Sequence, residues 1–167
     1  MRPGKILHPQ VASALASLGH GDIVLVTDAG APIPTTANRI DLAFYSGSVD
    51  LLEILSVLNQ EIFIENIIFA AEVPDNNPNL LAKVTAIFTG SGADFTLIPH
   101  DKLVSDIYNK AKVTIRSGSL MPWGNFALVA STDPDAWFDE SMKMLPEYKE
   151  RSDRIKNNLA PRIIKAN

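Results

Sequence analysis

Four polar positions have the types and surroundings needed for proton transfer and hydroxyl recognition. His20 stands in Gly19-His20-Gly21-Asp22, where glycine on both sides leaves room for backbone and ligand. A neutral imidazole gives or takes a proton near pH 7. Asp28 ends a β-branched run as Thr27-Asp28-Ala29-Gly30, His100 closes Asp94-Phe-Thr-Leu-Ile-Pro-His100, and Pro122-Trp123-Gly124-Asn125 sets an aromatic beside an amide. A carboxylate and an amide suit sugar hydroxyls, and an indole face suits the C–H face of a sugar ring. Each residue also has a plainer use. Asp28 can brace its turn, His20 can meet the last carbonyls of a helix, His100 can cap the next one, and Trp123 can be core. Glu72 and Arg116 also interrupt or end strands, where ion pairing serves equally well.

The elements that must position these groups alternate. Residues 8–18 carry Val11, Ala14, Leu15 and Leu18 at helical spacing, stopped by Gly19. Residues 22–30 read as a strand, 50–59 as a helix, 66–71 as a buried strand ending at Glu72, and 77–89 as a helix with Pro78 at its start. Strand 94–100, helix 101–110, strand 112–118 and strand 125–131 follow. Such alternation predicts a single α/β domain with a mostly parallel central sheet flanked by helices. The turns at strand ends, where such sheets place their sites, then hold Asp28, His100 and the Trp123 turn.

Composition removes several function classes. The 167 residues suffice for one sizeable core. A net charge of −4, from 15 basic and 19 acidic residues, argues against nucleic-acid binding. No cysteine is present, which excludes disulfides, thiol nucleophiles and thiolate metal sites. His8, His20 and His100 are the only histidines and show no metal-ligand spacing, so neither a metal nor another cofactor is expected. Gly90-Ser91-Gly92 lies between a helix and a strand, the reverse of a nucleotide loop. No apolar run reaches the roughly 18 residues of a membrane span, and no signal peptide opens the chain, so a soluble cytoplasmic protein is expected.

The chain divides at 131. Residues 1–131 form the expected α/β domain, and 132–167 a charged C-terminal extension, expected to be helical. From residue 131 onward, 37 positions hold 14 of the 34 charged residues, seven of each sign. Within them, 147–158 reads as a solvated helix laced by Glu147–Arg151 and Glu150–Arg154 pairs. The extension is expected to pack on the surface or on a neighbouring subunit.

Taken in order, the segment Ile6–Ala31 with its LGHGD and VLVTDAG runs, Arg39-Ile40-Asp41-Leu42, Ile68–Glu72, Ile98-Pro99-His100, and Lys112–Gly118 before Pro122-Trp123-Gly124-Asn125 resemble the ribose pyranase and fucose mutarotase (RbsD/FucU) family. The resemblance covers about residues 4–130. It implies His20 as proton donor and Asp28, His100, Trp123, Gly124 and Asn125 as sugar-binding residues. The family normally has Tyr at position 123, so Trp keeps a stacking face but loses a phenolic O–H. Gly124 is similar to the fucose branch and His100 to the ribose branch. Ring-like homo-oligomers, decamers in known cases, with sites near subunit interfaces are also implied.

The expected activity is that of an isomerase: a cofactor-free interconversion of anomers, or of pyranose and furanose forms, of a free monosaccharide such as fucose or ribose. His20 would protonate a ring or anomeric oxygen while Asp28 orients His20 or a hydroxyl. Three alternatives remain at this point. They are a sugar-binding or regulatory module without catalysis, an aldose–ketose isomerase, and a structural subunit.

Overall fold

The computed structural model of the chain describes residues 6–138 and 141–165. Helix α1 (Pro9–Ala16) leads to β1 (Ile23–Thr27), then β2 (Arg39–Asp41), α2 (Leu51–Glu61) and β3 (Ile64–Ala70). A short α3 (Val73–Asn76), α4 (Pro78–Phe88) and β4 (Asp94–Ile98) follow. One turn of α5 (His100–Lys102), β5 (Val113–Arg116) and β6 (Phe126–Ala130) complete the part foreseen as the α/β domain. Beyond it lie α6 (Pro134–Trp137), α7 (Pro146–Lys156) and β7 (Arg162–Lys165). None of the helices among the described residues is long and apolar enough to cross a membrane.

The strands form one sheet in the order β2-β5-β1-β6-β3-β4-β7. Pairs β1–β5, β2–β5, β3–β4 and β4–β7 are parallel, while β6 runs antiparallel to β1 and β3. The mostly parallel α/β sheet is therefore present. Val24, Leu25 and Val26 are consecutive and fully buried, so β1 is covered on both faces, as β-branched runs in such sheets require. Helices α2 and α4 pack together through Leu51, Leu55, Leu58, Leu80, Val84 and Phe88. Asp50 and Asn77 cap them by accepting from the Leu52 and Leu80 N–H groups, at 2.8 and 3.2 Å. Each such cap is worth about 1 kcal/mol.

Three regions depart from the sequence expectation. Strands β2 and β7 are only three and four residues long, too short for periodicity to reveal. The expected regular helix over 101–110 instead widens into a π turn at Leu103–Ile107 and tightens to a 3-10 turn at Tyr108–Lys110. Leu103 and Tyr108 are both buried, and residues five apart diverge by about 140° around an α-helix. The wider turn lets both reach the core.

The third departure is α7. It is not a solvated helix held by internal ion pairs, because Arg151, Ser152 and Arg154 are buried. Arg151 donates to Ser131 Oγ and the Thr132 carbonyl instead of pairing with Glu147. Arg154 donates to Asp94 and the Ala93 carbonyl, and Glu150 pairs with Arg162. A guanidinium can be buried where carboxylate and carbonyl acceptors meet it, and the sheet edge supplies them. Gly92, at φ +76°, permits the approach, since a Cβ there would lie 2.7 Å from Ile155 and 2.9 Å from Arg151. The Gly90-Ser91-Gly92 turn is thus the seat of α7.

Candidate functional site

The chemistry-bearing residues fall on two opposite edges of the sheet. At the C-terminal end of β1, Asp28 Oδ1 accepts from the Gly30 N–H at 2.7 Å and Oδ2 accepts from Asn125 Nδ2 at 3.1 Å. The carboxylate therefore braces its turn and also binds across to the end of β6. Arg116 fixes this loop by donating twice to the Ala29 carbonyl, at 2.9 and 2.8 Å, while pairing with Asp41 at 3.0 Å. Tyr108 is buried within reach of the Asp28 charge, and its phenol is held above its ordinary value by burial and then by that charge. It stays protonated at neutral pH. Among the described residues, neither the buried Tyr108 hydroxyl nor the buried Asn125 Oδ1 has a hydrogen-bond partner.

Trp123 occupies the left-handed region at φ +58°, uncommon for a residue other than glycine. The turn is held by Gly124 N–H to the Met121 carbonyl (3.0 Å), Asn125 N–H to the Trp123 carbonyl (2.8 Å), and the Asn77 amide to the Pro122 carbonyl (3.3 Å). A Cβ at Gly124 would meet the Met121 carbonyl at 2.8 Å and Leu51 at 3.0 Å, so the turn needs glycine there. His100 shares this edge, but β4 lies three strand positions from β1, roughly 14 Å at the usual spacing. Its side chain does not cap α5; its backbone N–H donates to both Glu72 oxygens at 3.2 Å. Glu72 is the capping group there, and Arg116 the ion-pair partner.

His20 lies on the other edge. Five residues of β1 separate it from Asp28, roughly 16 Å of strand, so the two do not meet within one chain. His20 does not bond the end of α1. Its Nε2 stands 3.2 Å from Glu65 Oε2, and the two side chains are 40% and 31% exposed. The Tyr148 ring of α7 meets the imidazole edge-on, with centroids 6.3 Å apart. A cavity of about 730 Å³ opens beside it, walled by Leu18, Phe63, Ser131, Trp137, Phe138 and Tyr148. Nearby, Asp22 is pulled below the usual carboxylate range by its bonds from Lys112 and the Gly19 N–H. Asp94 is pushed up by burial but carried below that range by Arg162 and Arg154.

Sequence reasoning missed Glu65 and Tyr108 as neighbours of the singled-out residues. A lone carboxylate inside an apolar strand was a signal for Glu65. Tyr108 gave none, because only the folded chain buries its phenol where the Asp28 charge acts on it.

A mixed α/β sheet with polar residues gathered at its strand ends is an architecture that places ligand sites at those ends. Within that class, the chain belongs to the RbsD / FucU transport protein family, whose model matches residues 1–132. D-ribose pyranase 1 of Streptomyces griseus subsp. griseus is 38% identical over 147 residues, covering 88% of this chain and 96% of the relative. The structure of Bacillus subtilis RbsD complexed with D-ribose matches with a TM-score of 0.74 and 30% identity, over 80% of this chain and 99% of that one. The fucose mutarotase of Streptococcus pneumoniae in complex with L-fucose shares the fold, at a TM-score of 0.68 and 20% identity over 80% and 99% of the two chains. Such pyranases and mutarotases are isomerases. Helix α7 and strand β7 lie beyond the matched family region.

Proposed function

We propose that the chain is a cofactor-independent monosaccharide mutarotase, with D-ribose as the first sugar to test. The observation that carries the reading is the Asp28–Asn125 hydrogen bond, set beside Trp123 and the unpartnered Tyr108 hydroxyl. A carboxylate, an amide, a phenol and an indole face together match the hydroxyls and the C–H face of a small sugar. His100 on the same edge is the proposed contact to a more distant hydroxyl, and Gly124 lets the turn close.

Converting pyranose, furanose and anomeric forms requires opening the ring C–O bond. The ring oxygen gains a proton as the anomeric hydroxyl loses one, and reclosure reverses both transfers. His20 is the proposed general acid–base for this exchange, typically worth roughly 10² to 10⁴ in rate. Because Asp28 and His20 sit on opposite sheet edges, a complete site takes His20 from one copy and the Asp28 edge from another. Joining two different edges is a heterologous contact, which closes into a ring when the rotation allows. Exposed Phe44, Tyr45 and Leu120 flank the Asp28 edge and suit burial by a neighbour.

Saturation-transfer NMR on D-ribose, L-fucose and other free monosaccharides tests the reading. Acceleration over buffer is expected, and His20→Ala should lower it at least about tenfold, or 1.4 kcal/mol. Wild-type rates equal to buffer for every sugar would refute catalysis. The second reading, a sugar-binding module, is favoured by Trp123, which lacks a phenolic O–H. Calorimetric binding without faster exchange would select it.

A further inference from the structure

Resting on the proposed role of His20, we infer that Glu65 is a positioning residue for that imidazole and that helix α7 holds Glu65 in place through Arg151 and Ser131. Four side chains stand in line. Arg151 Nη1 donates to Ser131 Oγ at 2.5 Å, the Ser131 hydroxyl donates to Glu65 Oε2 at 2.8 Å, and that oxygen is 3.2 Å from His20 Nε2. Arg151 is 7% exposed and is tied a second time to the Thr132 carbonyl at 2.7 Å, so the far end of the line is fixed.

His20 needs such help. It sits in Gly19-His20-Gly21, at 40% side-chain exposure, where neither neighbour has a side chain to confine it. A carboxylate at one ring nitrogen fixes both the tautomer and the plane of an imidazole. In the inferred arrangement the carboxylate 3.2 Å from Nε2 favours the tautomer with its proton there and leaves Nδ1 to exchange a proton with the sugar. Tyr148, also from α7, closes the ring's edge. The extension is thereby part of the working site, although it lies beyond the matched family region.

The test uses the full chain and three variants: Glu65→Ala, Ser131→Ala and Arg151→Met. Saturation-transfer NMR over a range of D-ribose concentrations gives kcat and KM. Long-range ¹H–¹⁵N spectra at pH 8 give the His20 tautomer, assigned by its loss in His20→Asn among only three histidines. Glu65→Ala should lower kcat about tenfold with KM within about twofold, and convert the Nε2–H signature into a tautomer mixture. Ser131→Ala and Arg151→Met should move both readouts the same way by about threefold in kcat; Ser131→Ala removes one hydroxyl and carries the test if a larger change unfolds the chain. An unchanged His20 spectrum in Glu65→Ala and Ser131→Ala overturns the inference whatever the rate does, and so does a changed spectrum with full kcat. If the wild type accelerates no sugar, the mutarotase reading fails by itself, and the His20 spectra still decide whether Glu65 and α7 set the ring.

Discussion

The two edges of the sheet hold their polar groups in opposite ways. At the Asp28 edge, a few hydrogen bonds leave a phenol and an amide oxygen without partners. At the His20 edge, the extension supplies two arginine clusters: Arg151 donates to Ser131, which bonds Glu65, while Arg154 and Arg162 share Asp94. Among the described residues, the buried Arg151 and Arg154 Nε groups have no partner. The phenol and amide oxygen of the Asp28 edge match a ligand that brings hydroxyls, whereas the free Nε groups of the other edge belong to buried arginines of α7, and what that edge presents is its exposed imidazole. On the proposed reading, recognition belongs to one edge and proton transfer to the other, and assembly of copies would unite them.

The largest expected effect breaks that division directly. Asp28→Ala should slow ribose exchange about 100-fold, near 2.7 kcal/mol, because it removes the carboxylate and unpins Asn125. Mixing this variant with His20→Ala, after dissociation and reassembly, should restore about a quarter of the wild-type rate, since random pairing leaves that share of sites intact. NMR exchange rates on the mixture check it; no recovery would mean that the two edges never share a site.

Gly92→Ala should come next, at about 2 kcal/mol, because a Cβ at φ +76° collides with Ile155 and Arg151. Hydrogen exchange should speed up in α7 and β7 while the Asp28 edge keeps its protection. Asn125→Ala should cost about 1 kcal/mol of stability by thermal melting and weaken sugar binding by calorimetry, leaving α7 untouched.

The smallest effect is set by pH. Asp94 titrates below the ordinary 3.8 in the folded chain, so its pairing with Arg154 and Arg162 contributes fully above that value. The contribution is lost as pH falls below it toward the depressed folded value. Tail amides should therefore exchange faster in acid before those of β1 do; equal onset in both would contradict the assignment.

Much of the frame was legible. β1 and β6 are largely buried runs, β3 buries most of its apolar residues, β4 alternates buried with half-buried positions, and α2 and α4 carry capped apolar faces, so local pattern and tertiary packing agree there. Asp28 and Asn125 were readable as strand-end polar residues. Their mutual bond was not, since it spans 97 positions. The charged extension misled because opposite charges at i,i+4 describe a helix in water equally well whether or not a sheet edge waits with acceptors.

The amino-acid order alone determined the alternation of elements, the strand-end location of the polar residues and the single imidazole between glycines, because those follow from short-range periodicity and backbone freedom. Which residues share an edge, that Glu65 reaches His20, that the Asp28 charge acts on a buried Tyr108 and that α7 buries its arginines were decided by the tertiary structure. Those contacts depend on strand order and on where desolvated charges find acceptors, and neither is encoded in any one stretch of chain.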